Sequence, residues 1–209
     1  MVRLESVKKG ARGVVVATAQ GGSLFRFKPR YLSGSQDGGE QASGGDAEPG
    51  PGSEYPEDAL LAAVQATDAE EKALALLARA EQTRAGLARK LGAKRFPSEA
   101  VDAALDELEG AGLLSDRRFA LSWARQRSRS RAEGPVSLRA GLAARGVGRA
   151  DIQAALDELY ADEGRAEAVS RALALLIKRH SPADARIAMR ELGWKSVDID
   201  DAFDRITGD

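Results

Sequence analysis

Segments of this chain repeat one another, and the repetition limits the possible folds more than any other feature. "VDAALDEL" at 101–108 returns as "IQAALDEL" at 152–159, 51 residues later, and "RAGLARK" at 84–90 returns as "RAGLAAR" at 139–145, 55 residues later. A period of about 50 residues is typical of tandem supersecondary units that each bury a small core and pack against their neighbours.

A third copy follows in the C-terminal part of the chain. "LRAGLAARGV" at 138–147 aligns with "ARIAMRELGW" at 185–194, 47 residues later. Leu138 and Leu142 in the earlier segment are four residues apart, a spacing that places both side chains on one face of a helix. The sequence therefore predicts three units built from amphipathic helices.

Helix start signals place eight helices between Pro56 and the end of the chain, and a further helix from about Glu163 to Arg179 makes nine, three in each unit. Thr67 or Asp68 is predicted to cap the first helix, which then extends through Ala80. The other start signals favour a helix N-terminus and are Thr83, Pro97-Ser98, Ser115, Gly134-Pro135, Gly148, Ser181-Pro182 and Ser196.

The N-terminal part differs from the rest of the chain. Val14–Thr18 is β-prone, Gln20–Gly22 is typical of a turn, and Leu24–Phe27 alternates in part between apolar and polar residues. This pattern predicts a β-hairpin, which must pack on another element or be mobile because an isolated hairpin is marginal in water. The stretch 33–54 is rich in glycine, serine and acids, which predicts a flexible linker.

The sequence thus predicts an all-α protein in which three tandem three-helix repeats form an elongated, solenoid-like array. A small N-terminal β-hairpin and a disordered acidic linker are expected to precede the array. The predicted domains are the hairpin extension at 1–32, the linker at 33–56, and helical repeats at 57–111, 112–160 and 161–209.

Arginine is concentrated in the middle of the chain. Residues 117–147 contain eight arginines, no lysine and a single acid, Glu133, although the whole chain has a formal net charge of −1. Guanidinium groups bind phosphates and carboxylates through two parallel hydrogen bonds, so these arginines predict a surface for nucleic acid or an acidic protein. A solvated helix face is the alternative, and charge and periodicity alone leave both open.

Signs of catalysis or of a metal site are scarce. His180 is the only histidine and precedes Ser181-Pro182, where a structural role at a helix end is expected. Acids near the start of the last helix are expected to offset its dipole rather than bind a cation. These acids are Asp198, Asp200, Asp201 and Asp204. Trp123 and Trp194 fall among apolar helix positions, which favours packing over base stacking.

The composition also bears on the compartment. The chain has no cysteine, which suits a reducing cytoplasm. The first residues lack the apolar core of a signal peptide, and no run approaches the length of a membrane span. The expectation is a cytoplasmic protein that has no membrane partner.

Three motifs resemble the RecX family of regulatory proteins. "GLLSDRRFA" at 112–120 is similar to the family's Gly-Leu/Tyr-Leu-Asp-Asp-x-x-Phe-Ala signature, with Ser115 in place of the first aspartate. "RSRSRAEGPVSLRAGLAARGV" at 127–147 resembles its arginine run and the Gly-Pro and Leu-Arg-x-x-Leu segments that follow. "ALALLARAEQTRAGLARKL" at 73–91 resembles its first unit, with Gly86 where glutamate is usual.

The resemblance implies tandem three-helix repeats and a regulatory role without enzymatic activity or a cofactor. RecX proteins bind the recombinase RecA and its filament on DNA, and they mainly restrain its ATPase, filament growth and strand exchange. The implied partners are therefore the RecA filament and single- or double-stranded DNA, bound by a monomer. A stand-alone helical DNA-binding module is the alternative, and a hidden enzyme in the acidic C-terminal unit is a third hypothesis.

The residues expected to contact a partner are basic. The first set comprises Arg117, Arg118, Arg125, Arg127, Arg129, Arg131, Arg139 and Arg145. A second set from the first repeat comprises Arg84, Arg89, Lys90, Lys94 and Arg95. No catalytic or metal-binding residue is predicted.

Overall fold

The computed structural model describes residues 1–32 and 48–207, which contain four β-strands and nine α-helices. The strands are β1 (Val2–Lys9), β2 (Val15–Ala19), β3 (Leu24–Phe27) and β4 (Glu54–Tyr55). The helices are α1 (Glu57–Leu77), α2 (Arg84–Gly92), α3 (Ser98–Gly110), α4 (Asp116–Arg131), α5 (Pro135–Ala143), α6 (Arg149–Glu163), α7 (Arg165–Ile177), α8 (Pro182–Glu191) and α9 (Ser196–Thr207). This mostly helical architecture confirms the predicted fold class.

The chain divides into two compact units. The first unit comprises Met1–Ala80 with Leu87–Leu114, and the second comprises Glu81–Gly86 with Ser115–Asp209. We call α1–α3, α4–α6 and α7–α9 the first, second and third triplets. None of the helices in the described ranges is both long enough and apolar enough to cross a membrane.

The N-terminal strands form a larger sheet than the sequence predicts. The expected hairpin is present as β2 and β3, but β1 and β4 join it in the antiparallel order β3-β2-β1-β4. The strand β1 escapes prediction because only Leu4 among its residues is buried, so its alternation is weak. Hydrophobic side chains of this sheet pack against α1, as expected for a hairpin that needs a partner.

The predicted linker at 33–56 requires a correction at its C-terminal end. Residues 33–47 lie outside the described residues. Glu54 and Tyr55 form β4 opposite β1, and Tyr55 belongs to the core beneath the sheet. Burial of the apolar ring of Tyr55, together with the strand hydrogen bonds, offsets the conformational entropy that these residues lose when they leave a flexible state.

The first helix begins eleven or twelve residues earlier than a cap at Thr67 or Asp68 predicts. It begins at Glu57, so Thr67 lies inside α1 rather than capping it. The Thr67 hydroxyl donates to the Ala63 carbonyl at 2.8 Å and accepts from the Lys28 backbone N–H, also at 2.8 Å. A cap residue and a buried helical threonine both satisfy neighbouring backbone groups, which explains why the sequence signal was ambiguous.

Glu70 holds the N-terminal sheet onto α1 through a buried ionic network. The carboxylate accepts from Lys28 at 2.7 Å, from Arg30 at 2.8 and 2.9 Å, and from the Tyr31 hydroxyl at 2.9 Å. Burial alone would raise the pKa of Glu70, but these three donors outweigh burial and lower the pKa below its ordinary 4.5. Burial, together with the bond to Glu70, raises the pKa of Tyr31.

Each triplet has its own apolar core, in which leucine is the commonest large residue. Three of the sequence-predicted caps are formed: Thr83 accepts from Gly86 N–H, Ser115 from Arg118 N–H, and Ser181 from Asp184 N–H. Representative core residues are Leu87, Leu91 and Leu105 in the first triplet, Leu138, Leu142 and Leu156 in the second, and Leu173, Met189 and Ile199 in the third.

The second helix of every triplet ends in the same left-handed turn. The turn residues are Arg95 (φ 65°), Gly146 (φ 83°) and Gly193 (φ 84°). The next residue in each case donates its N–H to a carbonyl five positions earlier, a Schellman-type closure. The turns are 51 and 47 residues apart, so the 55-residue match of "RAGLARK" is one helical turn out of register and is wrong as a structural alignment.

Two of these turns contact the start of the second helix in the preceding triplet. Ahead of Gly146, the Arg145 carbonyl accepts from the Thr83 hydroxyl at 3.1 Å. Ahead of Gly193, the equivalent Leu192 carbonyl accepts from the Gly134 N–H at 2.6 Å. At both junctions the carbonyl before the turn glycine thus accepts from the residue that precedes the second helix of the preceding triplet, through a hydroxyl at the first and a backbone N–H at the second. We call this contact the turn junction.

Glycine is required at both turn junctions because the backbones approach closely. A Cβ on Gly193 would lie 2.5 Å from the Ser137 backbone nitrogen, and a Cβ on Gly146 would overlap that of Ala85. Positive φ alone disfavours other residues at these positions, and the neighbouring triplet adds a steric requirement.

Replacing Gly193 with alanine is therefore expected to destabilise the protein more than a left-handed alanine does elsewhere. Gly112→Ala is the control, since Gly112 has φ 68° and open space where a Cβ would stand. We expect the control to lose about 1–2 kcal/mol and Gly193→Ala to lose at least about 1 kcal/mol more, measured by urea unfolding. Equal losses would show that the turn junction adds nothing to stability.

Replacing Glu70 with glutamine is expected to lower the free energy of unfolding by about 3–5 kcal/mol at pH 7, because the Lys28 ammonium stays buried without its carboxylate. The control Glu71→Gln removes a half-exposed partner of Arg26 and should cost about 1 kcal/mol or less.

The pH dependence of unfolding tests the same network. Because the pKa of Glu70 is lowered on folding, its stabilisation is present above 4.5 and is lost as the pH falls through the folded-state pKa. The difference in stability between the wild type and Glu70→Gln should therefore shrink only in acid. A difference that shrinks above pH 6 would contradict this assignment.

Candidate partner-binding surface

The eight arginines of residues 117–147 lie on α4, on α5 and in the turn after α5. Five of them are exposed: Arg117, Arg118, Arg129, Arg131 and Arg139. Arg125, Arg127 and Arg145 are half-buried. All eight belong to the second compact unit, so the arginines that cluster in the sequence also lie together in one part of the structure.

Both ends of α4 are fixed by defined contacts. The Ser115 hydroxyl caps its N-terminus, and Ala132 ends it in the left-handed conformation (φ 56°). The indole N–H of Trp194 donates to the Ala132 carbonyl at 2.7 Å, which ties this end to the third triplet. The arginines of α4 are therefore presented from a helix whose position is set by its neighbours.

Two exposed arginines of α4 already pair with acids of the same unit. Arg117 donates to Glu158 at 2.8 Å, and Arg118 donates to Glu81. Surface ion pairs of this kind contribute about 0–1 kcal/mol, so another anion can replace them at little cost. Arg139 donates to the side-chain oxygen of Gln153 at 2.9 Å.

Arg127 and Arg145 have a structural role around Trp123. Their guanidinium carbons lie 5.1 and 4.5 Å from the indole centroid. Arg127 also pairs with the buried Glu133 at 2.6 Å, and Arg145 donates to the Gly141 carbonyl at 2.7 Å. These contacts occupy both guanidinium groups within the fold.

Neither Trp123 nor Trp194 offers an open ring face on which a nucleic-acid base could stack. Two guanidinium groups lie against Trp123, and the edge of its ring lies so close to Gly141 that a Cβ there would stand 2.5 Å away. Trp194 is 3% exposed within the core of the third triplet and meets Tyr160 edge to face. Both side chains pack within the second unit, in the way their apolar neighbours in sequence predict.

The second predicted set is divided between the compact units. Arg84 belongs to the second unit, where its backbone N–H donates to Asp116 at 2.7 Å. Burial raises the pKa of Asp116, with a further contribution from Asp151, while the bond from Arg84 partly opposes the rise. The other four residues are exposed in the first unit, at the end of α2 and in its turn: Arg89, Lys90, Lys94 and Arg95.

The residues considered for catalysis or metal binding have local structural contacts. His180 follows α7 and donates its backbone N–H to the Leu176 carbonyl at 3.0 Å. Asp198 accepts from Arg165 at 2.7 Å, and Asp200 accepts from Arg186 at 2.8 Å. Within 1–32 and 48–207, no group of three or more His, Cys, Asp and Glu side chains is placed to hold a metal ion.

A small cationic cavity between α4 and α7 is not predicted from the sequence. It encloses about 180 Å³ and is lined by Ser128, Arg129, Arg171, Ala172, Ala174, Leu175 and Lys178. Arg171 and Lys178 were missed because residues 151–209 carry more acids than bases overall. Their seven-residue spacing, which places both on one face of α7, was the signal that could have found them.

Comparison with known proteins gives matches to one family. The sequence profile described as "RecX, first three-helix domain" matches residues 69–108, and the profile described as "RecX, second three-helix domain" matches residues 115–156. The chain is 36% identical over 149 residues to "Regulatory protein RecX" of Thermobifida fusca, which covers 70% of this chain and 76% of that relative.

A second relative matches more closely over a shorter region. "Regulatory protein RecX" of Pseudomonas savastanoi pv. phaseolicola is 48% identical over 90 residues, or 43% of this chain. The match spans only 57% of the length of that relative.

Two solved structures share the fold. "Crystal structure of regulatory protein RecX" has a TM-score of 0.70 at 20% identity and covers 98% of this chain and 100% of that one. "Crystal structure of RecX from Lactobacillus salivarius" has a TM-score of 0.56 at 19% identity and covers 68% of this chain and 96% of that one. At these identities the similarity concerns the fold alone.

The two classes of arginine should differ in their effect on stability. Arg127→Ala and Arg145→Ala are each expected to lose about 1–2 kcal/mol, because the first leaves Glu133 buried and unpaired and both remove a cation from Trp123. Arg131→Ala and Arg139→Ala should stay within about 0.5 kcal/mol of the wild type. Thermal unfolding compares the four variants, and indistinguishable midpoints would contradict the division.

Proposed function

Because the chain belongs to the RecX family, we propose that it binds the RecA recombinase on DNA and restrains its ATPase, filament growth and strand exchange. The role is regulatory and not enzymatic, requires no cofactor, and is carried out by a monomer in the cytoplasm. The single observation that carries the proposal is the concentration of exposed arginines on α4 and α5, within the region of family similarity.

Electrostatics supports an anionic partner for this surface. Residues 111–150 combine nine arginines with two acids, a local charge of +7 in a chain whose total is −1. Such a concentration of one sign steers an oppositely charged partner toward one face, and the effect weakens as salt is added. The exposed ion pairs of Arg117 and Arg118 can be exchanged for partner groups at little cost.

The exposed arginines make the main contact with the RecA filament in this proposal. They are Arg117, Arg118, Arg129, Arg131 and Arg139, joined by the half-buried Arg125. Arg127 and Arg145 act on this surface indirectly, by fixing Trp123 and the end of α5. The cations of the first unit, together with Arg84, form a second candidate contact.

The alternative is a DNA-binding module that needs no recombinase. The same cationic surface favours it, because arginines at helical spacing bind a phosphate backbone as readily as an acidic protein surface. Binding to labelled DNA in the absence of RecA separates the two: a DNA-binding module binds tightly and in a salt-sensitive way by itself, whereas the proposed regulator needs the filament for its effect.

The triple variant Arg118→Ala, Arg131→Ala and Arg139→Ala tests the proposal. It is expected to need about tenfold more protein for half-maximal inhibition of the RecA ATPase on single-stranded DNA, since three exposed contacts are lost. Far-UV circular dichroism should be unchanged because none of the three side chains belongs to a core.

A matched triple variant controls for net charge. Arg190→Ala, Lys195→Ala and Arg205→Ala removes the same charge from exposed positions of the third triplet. It should inhibit within about twofold of the wild type, since long-range charge effects are small at physiological salt. Equal weakening of the two variants would make the effect one of net charge, and wild-type inhibition by the first variant would contradict the arginine assignment.

A further inference from the structure

The end of the β1–β2 ribbon carries positive charge that the proposed function does not use. Residues 1–30 contain seven bases and one acid, Glu5. Three of the bases, Arg26, Lys28 and Arg30, form ion pairs with acids of α1. Another three lie at the end of β1 or in the turn that follows it, and all are exposed. We call these three residues the tip cations: Lys8, Lys9 and Arg12.

Acidic side chains neutralise little of the charge on the tip cations. Lys9 pairs with Glu48 at 2.6 Å, but the two side chains are 74% and 68% exposed. An ion pair this exposed is weak, so another anion readily replaces it. Within 1–32 and 48–207, no acid forms an ion pair with Lys8 or Arg12. The tip cations are therefore open to an anionic partner.

The turn between β1 and β2 holds Arg12 in a conformation that does not favour arginine. The Val14 N–H donates to the Ala11 carbonyl at 3.2 Å, which closes a tight turn. Arg12 and Gly13 are its two central residues, with φ of 58° and 73°, as in the type I′ turns of β-hairpins. Asparagine or glycine is preferred where Arg12 stands, because a left-handed backbone is strained by most side chains. Strain of this kind is concentrated at residues that bind a ligand.

The tip cations project in different directions. Lys8 lies opposite Val16 and Lys9 lies opposite Val15 in the pairing of β1 with β2. Successive residues of a strand point to opposite faces, so the two lysines are on opposite sides of the ribbon. Arg12 adds a third cation at the turn, beyond the paired residues of both strands. Positive charge therefore surrounds the end of a two-stranded ribbon and is not confined to one face.

We propose that the β1–β2 turn enters a groove of double-stranded DNA, where the tip cations bind phosphates on both sides of the groove. The major groove of B-form DNA is about 12 Å wide and admits a two-stranded β-ribbon. Phosphates border the groove on both sides, and cations on both faces of the ribbon match that arrangement. An acidic protein surface meets a ribbon on one face, so it would leave one of the two lysines unused.

This contact goes beyond the proposed function, because it assigns a role in DNA binding to the N-terminal sheet. It rests on that function for the presence of DNA beside the chain. Three phosphate contacts give a weak affinity that falls steeply as salt is added. The tip cations therefore add to the binding of the filament and do not turn the chain into a stand-alone DNA-binding module.

Fluorescence anisotropy with a labelled DNA duplex, measured on the full chain without RecA, tests the proposal. Arg12→Asn is expected to raise the dissociation constant about tenfold at about 50 mM salt. It should also reduce the slope of log K against log salt by about 0.9, the value for one phosphate contact on B-form DNA. Lys8→Gln combined with Lys9→Gln should reduce the slope by about 1.8. Variants that bind like the wild type would overturn the proposal, as would a wild-type chain that does not bind the duplex.

Thermal unfolding separates a role in binding from a role in folding. Arg12→Asn should unfold at the same or a higher temperature than the wild type, because asparagine suits a type I′ turn better than arginine does. Weaker DNA binding by a variant of equal or greater stability cannot result from a damaged fold. A lower unfolding temperature for Arg12→Asn would show that Arg12 is a structural residue and would overturn its assignment to DNA.

Two controls test the position of the charge and the need for a groove. Lys72→Gln removes an exposed cation of α1 from the same compact unit and should bind the duplex within about twofold of the wild type. Equal weakening by Lys72→Gln and Arg12→Asn would make the effect one of net charge. A single-stranded oligothymidine of the same length has no groove, so Arg12→Asn should change its binding less than the binding of the duplex. Equal changes would overturn the groove assignment.

The RecA ATPase distinguishes this contact from the proposed function. Variants of the tip cations that bind the duplex like the wild type but inhibit the ATPase less would make the recombinase the partner of the turn and overturn the proposal. Failure of the proposed function is seen separately, as a wild-type chain that leaves the ATPase unaffected. The triple variant Arg118→Ala, Arg131→Ala and Arg139→Ala keeps all three tip cations, so the two assignments can fail independently.

Discussion

The turn junction connects two left-handed turns to the helix starts that they contact within the second compact unit. Its central bond brings the carbonyl of Arg145 or Leu192 to the first residues of the preceding second helix. At the later junction, Gly193 also accepts from Val136 N–H, one of the donors that a helix N-terminus cannot satisfy internally. Capping of one triplet thus depends on the folding of the next, the nearest-neighbour coupling that holds repeat proteins together.

Arginine serves two purposes in the second triplet, and this explains why its abundance alone was ambiguous. Arg127 and Arg145 fix Trp123 and Glu133, so they stabilise the surface without being available to a partner. Of the exposed arginines, Arg117 and Arg118 form surface ion pairs, and Arg139 donates to the Gln153 side chain. The inner arginines hold the helices of this surface in place, and the ion pairs of the outer arginines can be replaced by groups of a partner. Both properties favour the binding of a large anionic partner.

Local signals in the sequence were sufficient for most of the helices. The caps at Thr83, Ser115 and Ser181 were predicted correctly because each hydroxyl accepts from a backbone N–H three residues later, in the helix that follows it. The start of α1 was missed because Thr67 satisfies the backbone from inside a helix. The strand β4 depends on pairing with β1 across about 50 residues, and the cavity at Ser128 depends on contact between two helices, so neither has a local signal. The strand β1 pairs with the nearby β2 and was missed because only Leu4 among its residues is buried.

Arg95 stands at the position where the two later triplets have glycine, and it adopts the same left-handed conformation. At Gly146 and Gly193 an added side chain would collide with the neighbouring triplet, whereas Arg95 has no such neighbour and is exposed. The left-handed turn itself therefore tolerates a side chain, and glycine is needed only where another segment packs against the turn.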